Sequence, residues 1–414
     1  MNELKKKDKE VSKIIEQEKK RQSEGLEMIA SENYVSMAVL EATGSVLTNK
    51  YAEGYPGHRY YGGCRFVDEV ENLAILRLKK LFGCKFANVQ PHSGSSANMA
   101  AYAAALEPGD VILGQAMDAG GHLTHGAKVS FSGKLYRSYS YGLSGKTGRL
   151  DYDEIAKIAK KVKPKVIMSG YSAYPRQLDF KKFRKISDSV GAYLFADIAH
   201  IAGLVAVGIH QTPIGIADIV TSTTHKTLRG PRSGIIMTND EELSKKINKA
   251  VFPMLQGGPL EHVIAAKAVA FGEALRPDYK KYIQNVVDNM KCFAETIQSF
   301  DFNLVTGGTD NHLILIDLRN KNITGKDFED ALGKAGITVN KNGVPGDTQP
   351  PQISSGIRVG TAALTSRGMG PAEMQRIAKL FARVVDHITD EKVLRSIKKE
   401  VKMMCAKFPV PGIK

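Results

Sequence analysis

AYLFADIAHIAGLVAVGIHQTPIGIADIVTSTTHK, residues 192–226, decides the fold. Both ends are short apolar runs that break into polar residues, and the stretch between them has the length of one helical crossover. That is a strand–helix–strand step, the unit from which parallel sheets covered by helices are built. The same kind of run recurs upstream at FANVQPHSG (86–94), DVILGQAM (110–117) and PKVIMSGYS (164–172), and downstream at SGIIMTN (233–239). The class is therefore α/β, with a mainly parallel sheet. Residues 260–275 read as a buried helix, and after Pro277 a longer amphipathic helix runs to about Phe300. A second domain is expected from there, with strands near HLILIDLR (312–319) and GIRVG (356–360) and the loop NGVPGDTQPPQ between them. The expected organisation is an N-terminal helical arm at 1–20, a large domain at 21–276 and a smaller C-terminal α+β domain at 277–414.

A chain of 414 residues, 43% hydrophobic and 24% charged, has the proportions of a folded globular protein long enough for two or three domains and a cleft between them. Its longest apolar stretches, such as VIAAKAVAF at 263–271, fall short of the ~20 residues of a membrane span and carry Lys267. The N-terminus MNELKKKDKEVSKIIEQEKKRQ is charged where a secretory signal needs an apolar segment. Cys64, Cys84, Cys292 and Cys405 form no CxxC pair, so neither a zinc cluster nor a redox dithiol is encoded. A cytoplasmic protein is expected, with no membrane partner. The net charge of +15 favours anionic ligands, but the basic residues are scattered, and nucleic acid is not expected as the main partner.

In open α/β sheets, ligands bind beyond the carboxyl ends of the strands, so the trailing residues matter most. SGKTG (144–148) imitates a P-loop, but Ser140 stands where that motif needs glycine. HLTH (122–125) has no third ligand nearby, and no metal site is expected. TSTTHK sets Lys226 at a strand end, and LFADIAH sets Asp197 at the end of the preceding strand. A lysine becomes a Schiff-base former where the site disfavours its ammonium. A carboxylate beside it points to pyridoxal phosphate, whose pyridine nitrogen must stay protonated for the ring to accept electrons. PHSGSSANMAAYAAAL adds an anion site, Ser93, Gly94 and Ser95 at the start of an Ala-rich helix. His122, after two glycines, is placed to lie flat on the ring.

These residues occur in an ordered set of motifs: IASENYVS (29–36), LTNKYAEGYPGHRYYGG (47–63), PHSGSSAN (91–98), GGHLTHG (120–126), LFADIAHIAGLVA (194–206), TTHKTLRGPRSG (223–234), QGGP (256–259), VNKNGVP (339–345) and SGIRVGT (355–361). Through them the chain resembles the serine hydroxymethyltransferase family over nearly its full length. The resemblance implies a type I pyridoxal phosphate fold, like that of aspartate aminotransferase with its seven-stranded sheet. It implies the exchange of a one-carbon unit between serine and tetrahydrofolate, giving glycine and 5,10-methylenetetrahydrofolate. By the same resemblance Lys226 holds the cofactor covalently and Asp197 pairs with its ring nitrogen. His122, Ser172, His200 and His225 contact the cofactor, Thr223 and Arg232 support the site, and Arg358 clamps the substrate carboxylate with Ser31 nearby. Glu53 is the acid–base group where the serine hydroxymethyl group and folate meet. Tyr51 and Tyr61, with Gly257 and Gly258 at the phosphate, come from the second subunit of a homodimer.

Departures from the family pattern gather at the folate side. Met117, Asp118 and Ala119 precede GGHL where LAH is common, Gln352 replaces a frequent phenylalanine, and Met37 and Ala362 replace prolines. Met117, Gly121, Leu123 and Asn342 are the implied folate contacts, and a methionine can fill an apolar gap. Two other readings compete. A folate-independent aldolase acting on threonine or an α-methylserine would keep the lysine and its acid, and an RNA-binding regulator draws only on the charge.

Overall fold

The computed structural model describes residues 2–413. Its central sheet has seven strands: β1 (Phe86–Asn88), β2 (Val111–Gln115), β3 (Arg137–Tyr141), β4 (Val166–Gly170), β5 (Tyr193–Asp197), β6 (Ile219–Thr223) and β7 (Gly234–Thr238). They lie in the order β1-β7-β6-β5-β4-β2-β3. From β3 to β6 all pairs are parallel, and β7 runs antiparallel to both β6 and β1. Every residue of β4, β6 and β7 is buried, as expected of strands covered on both faces, and each carries an apolar stretch that gives way to small or hydroxyl residues at its end. The strand β3, RSYSY, was not expected. It is the outer edge strand and exposes Arg137, Tyr139 and Ser140, so its sequence carries no apolar run.

The helices follow from their ends. Ser93 caps α2 (Gly94–Ala105) with a reciprocal capping box to Ser96. Before it, α1 (Arg65–Phe82) stops at Gly83, whose φ of 73° suits glycine. The helix α3 (Glu261–Ala274) packs along α1, and α4 (Pro277–Gln298) starts with proline in its first turn. SGKTG is a turn ahead of the helix Tyr152–Val162, which Asp151 caps.

Beyond α4 a second, antiparallel sheet has β8 (Asn303–Leu304), β9 (Leu313–Asp317), β10 (Asn340–Asn342) and β11 (Gly356–Gly360) in the order β8-β9-β11-β10. It has its own core, including Ile314, Ile316, Phe328, Ile357 and Phe381, separate from the cores on the two faces of the large sheet. Leu26 and Met28 belong to this second core, and Leu26–Glu27 pairs in parallel with Ile337–Thr338. The expected arm at 1–20 is helical over Asn2–Lys7 and Lys9–Glu24, and the latter helix buries none of its residues. Residue 1 of that arm and residue 414 of the expected small domain lie outside the described residues. Among the described residues, no helix is long and apolar enough to cross a membrane, and no group of three or more side chains is arranged to hold a metal ion.

Candidate active site

A cavity of about 410 Å³ opens beyond the carboxyl ends of β4, β5 and β6. Three parts of the chain converge on it. Asp197 ends β5, with Ala199 and His200 just after it; Thr223 ends β6, with His225 and Lys226 just after it; and Ser93 caps α2, which Gly94 and Ser95 open. The lining also includes Ser31, His122, Ser172, Arg232 and Arg358, so the predicted cofactor and carboxylate residues other than Tyr51, Gly257 and Gly258 meet in one place. Packing favours glycine at 94: a Cβ there would lie 2.6 Å from Thr223 Cγ2, so the Thr223 side chain or the helix start would have to shift. The first amides of α2 thus face the cavity as an anion site.

Asp197 is the best-supported group in the cavity. Its Oδ2 accepts from Asn98 Nδ2 (2.8 Å) and lies 3.2 Å from His125 Nε2, while its Oδ1 accepts from the Ala199 amide (2.9 Å). The His122 amide donates to His125 Nδ1 (3.3 Å), which leaves the His125 proton on Nε2, facing the carboxylate. Burial works to raise the Asp197 pKa, but the His125 and Asn98 hydrogen bonds and the nearby histidines outweigh it and hold the carboxyl well below its ordinary range. Asp197 therefore stays an anion, as a partner for a protonated ring nitrogen must.

Lys226 is 8% exposed, and its ammonium makes no hydrogen bond or ion pair among the described residues. Burial, opposed by Asp197 and aided by Arg358 and Arg232, pulls its pKa down to about 8. The amine is thus partly free at neutral pH. His122 and His225 are held neutral in the same way: burial lowers them to about 4 and about 3. The His122 ring is fixed by Thr124, whose amide donates to Nδ1 (3.2 Å) and whose hydroxyl lies 2.8 Å from it.

Arg358 is buried, and burial lowers its pKa to about 10. Its guanidinium donates to Ser172 O (2.8 Å), Ser31 Oγ (3.3 Å) and Asn340 Oδ1 (3.1 Å), yet no carboxylate lies within ion-pair distance among the described residues. A buried cation with neutral partners alone is poised for an anionic ligand.

The remaining predicted residues lie in two other places. Met117, Gly121, Leu123 and Asn342 line a cavity of about 380 Å³ that shares His122 and Ser172 with the first one; Asp118 also lines it, and Gln352 does not. Tyr51, Glu53, Tyr61, Gly257 and Gly258 do not line the Lys226 cavity. They cluster with one another: Tyr51 Oη donates to Glu53 Oε1 (3.3 Å), the Tyr51 and Tyr61 rings meet edge to face at 4.9 Å, and a Cβ on Gly258 would touch the Tyr51 ring. Sequence reasoning missed Asn98, Thr124, His125 and His312. His125 was seen only as half of an unsupported metal motif, and Asn98 lies in a helix that reads as alanine-rich core. His312 stacks on His200 with Nε2 3.3 Å from His200 Nδ1, a contact between two lobes that no local pattern announces.

The residues fit pyridoxal phosphate: a partnerless buried amine, a carboxylate kept anionic, a neutral imidazole and a helix start for the phosphate occupy one cavity. The comparisons agree. Residues 4–381 match the family model of serine hydroxymethyltransferase. A serine hydroxymethyltransferase from a Nitratiruptor species is 58% identical over 410 residues, covering 99% of each chain. The chain belongs to the serine hydroxymethyltransferase family. This family uses tetrahydrofolate as cosubstrate along with pyridoxal phosphate.

Proposed function

We infer that the chain is a one-carbon transferase that reversibly converts L-serine and tetrahydrofolate to glycine and 5,10-methylenetetrahydrofolate. The observation that carries this reading is the partnerless amine of Lys226 between the anionic Asp197 and the acid-free guanidinium of Arg358. When bound, pyridoxal phosphate supplies an aldehyde for covalent attachment and a ring that accepts the electrons of a breaking bond. Lys226 Nζ is the amine that meets the aldehyde. Asp197 keeps the proton on the ring nitrogen, and His125 and Asn98 keep Asp197 ionised. The amides of Gly94 and Ser95, with the Ser93 hydroxyl, take the phosphate. His122 would cover the ring and exclude water, with Ser172, His200, His225 and Thr223 as further residues that would hold the cofactor. Arg358 binds the serine carboxylate as a planar fork, helped by Ser31, while Arg232 adds positive charge at the rim. Met117, Gly121, Leu123 and Asn342 hold the pterin.

Glu53 is the group that moves a proton at the serine hydroxyl, and Tyr61 orients that hydroxyl. Both lie outside the Lys226 cavity of their own chain, which supports a homodimer in which Tyr51, Glu53, Tyr61, Gly257 and Gly258 serve the partner's pocket. A two-fold dimer forms both composite sites at once. The core of the second sheet, separate from the two on the faces of the large sheet, supports a division near residue 277 into a cofactor domain and a smaller domain, preceded by the helical arm. Four unpaired cysteines suit a cytoplasmic enzyme. The test is glycine formation from serine with and without tetrahydrofolate. Turnover that depends on the folate is expected, and turnover indifferent to it would favour an aldolase.

A further inference from the structure

Lys267, in α3, is 1% exposed and lines none of the cavities around Lys226. Its ammonium donates to the carbonyls of Val89 (2.5 Å), Gly234 (2.8 Å) and Pro91 (3.3 Å). Three acceptors match the three protons of an ammonium. Val89 and Pro91 belong to the short run that joins β1 to the Ser93 cap, and Gly234 opens β7. These two pieces are pressed together: the Gly234 amide and the Ser233 hydroxyl also donate to Pro91 O, and a Cβ on Gly234 would collide with Ser93 O. Gln256 holds the same run from its other side, accepting from the His92 amide (3.1 Å) and donating to Gln90 O (3.0 Å).

Burying this charge is costly, and burial pulls the lysine down to about 7, although Glu71 and Glu261 oppose the shift. Its charge is felt at His92, next to Ser93, where burial and then Lys267 lower the imidazole pKa. No step of the reaction uses this amine. What it does touch is the run that leads into the helix start lining the cavity.

We propose that Lys267 is a positioning residue for the cofactor's phosphate. Its ammonium pins the run that carries Ser93, Gly94 and Ser95 to the start of β7, aims their amides, and places a positive charge behind them. The proposal rests on the reading of Ser93–Ser95 as the phosphate cradle, and the test separates the two.

Apoprotein is titrated with pyridoxal 5'-phosphate and with pyridoxal, which has the same ring and aldehyde but no phosphate. The spectral change on attachment reports each affinity, and the ratio of the two is the readout. Wild-type protein is expected to prefer the phosphate form strongly. Lys267→Met should lose about tenfold or more of that preference while its affinity for pyridoxal stays within about threefold of wild type. A general loosening of the fold would weaken both ligands alike, so an unchanged ratio in Lys267→Met overturns the proposal. If that variant does not accumulate as folded protein, Lys267→Gln, which keeps two donors, is titrated in its place: a reduced ratio supports the proposal and an unchanged one overturns it. A wild-type protein without preference for the phosphate form, or a Gly94→Ala variant that keeps it, would instead remove the cradle reading itself.

Discussion

The floor of the Lys226 cavity and the 51–61 segment are built by opposite means. On the floor, Asp197 takes three donors on two oxygens, and Lys226 and His122 have lost most contact with water. On the segment, Tyr51 and Tyr61 are 54% and 46% exposed, and Glu53 has the Tyr51 hydroxyl as its hydrogen-bond partner. The backbone beneath that segment is nonetheless firmly held: Arg59 donates to the carbonyls of Ala52 (2.8 Å) and Gly54 (3.0 Å) and pairs with Asp68 and Glu71. A held backbone with exposed tips is what a segment needs if its side chains act on a surface other than its own. The floor shows the reverse arrangement, because fixed donors hold Asp197 as an anion and burial lowers Lys226 and His122, and one chain can supply both by itself.

The harshest way to break this contrast is to damage one region in each of two chains. Lys226→Ala removes the amine and Tyr51→Ala removes the exposed ring, and each variant alone should fall to background turnover. Mixed under conditions that allow subunit exchange, they should regain activity, because a hybrid dimer has one pocket free of both changes, about a quarter of all pockets at equal mixing. Glycine formation after mixing is the measurement. A mixture that stays inactive although hybrids are shown to form would make Tyr51 a local packing residue.

Within the floor, Arg358→Lys should raise the serine KM by roughly ten- to a hundredfold with a smaller change in kcat. A lysine carries the charge but cannot make the paired, planar hydrogen bonds to a carboxylate. Steady-state kinetics with serine check it, and an unchanged KM would take Arg358 out of the substrate site. Asp197→Asn should keep the fold and bind cofactor while losing most turnover, since an amide cannot hold a proton on the ring nitrogen. Near-normal turnover would count against that role.

A pH profile sharpens the comparison without any substitution. The Lys226 amine, with its pKa near 8, reacts only when unprotonated. The rate of covalent attachment of pyridoxal phosphate to apoprotein should climb through about pH 8 and less than double from there to about pH 9. An ordinary lysine, with a pKa of about 10.4, would gain nearly tenfold over that last interval. A steady tenfold rise per unit would show that burial does not free the amine.

Much of the floor was legible because strand ends carry their chemistry in sequence order: LFADIAH and TSTTHK give the acid and the amine without any knowledge of distance. The supports of those residues were not. Asn98 reads as one polar residue in an alanine-rich helix, and only folding brings it against Asp197, Thr124 and Thr221. The edge strand β3 escaped because a strand exposed at the sheet's border needs no apolar run. Lys267 read as an interruption of an apolar stretch, and its use appears only once three carbonyls from distant segments surround it. Local pattern thus reveals groups placed by their own strand and hides those that act across elements.

The mildest prediction concerns the folate side, where the sequence departs from its family. Met117 is 48% exposed and lines the second cavity with Leu123 and Asn342, so it offers apolar surface without being locked in a core. Methionine and leucine have similar volume, and an exchange between them in a partly open site costs little. Met117→Leu should therefore move the tetrahydrofolate KM by less than about threefold and leave serine-dependent spectral changes of the bound cofactor as they were. Asp118 lines the same cavity from an exposed position, so Asp118→Ala tests charge where the first variant tests shape. A surface carboxylate acts through a screened field, and its removal should alter folate KM more at low salt than at high salt. If Met117→Leu instead changed folate KM by tenfold, the methionine would be a packed contact rather than a gap-filler, and the open character assigned to this side of the site would be lost.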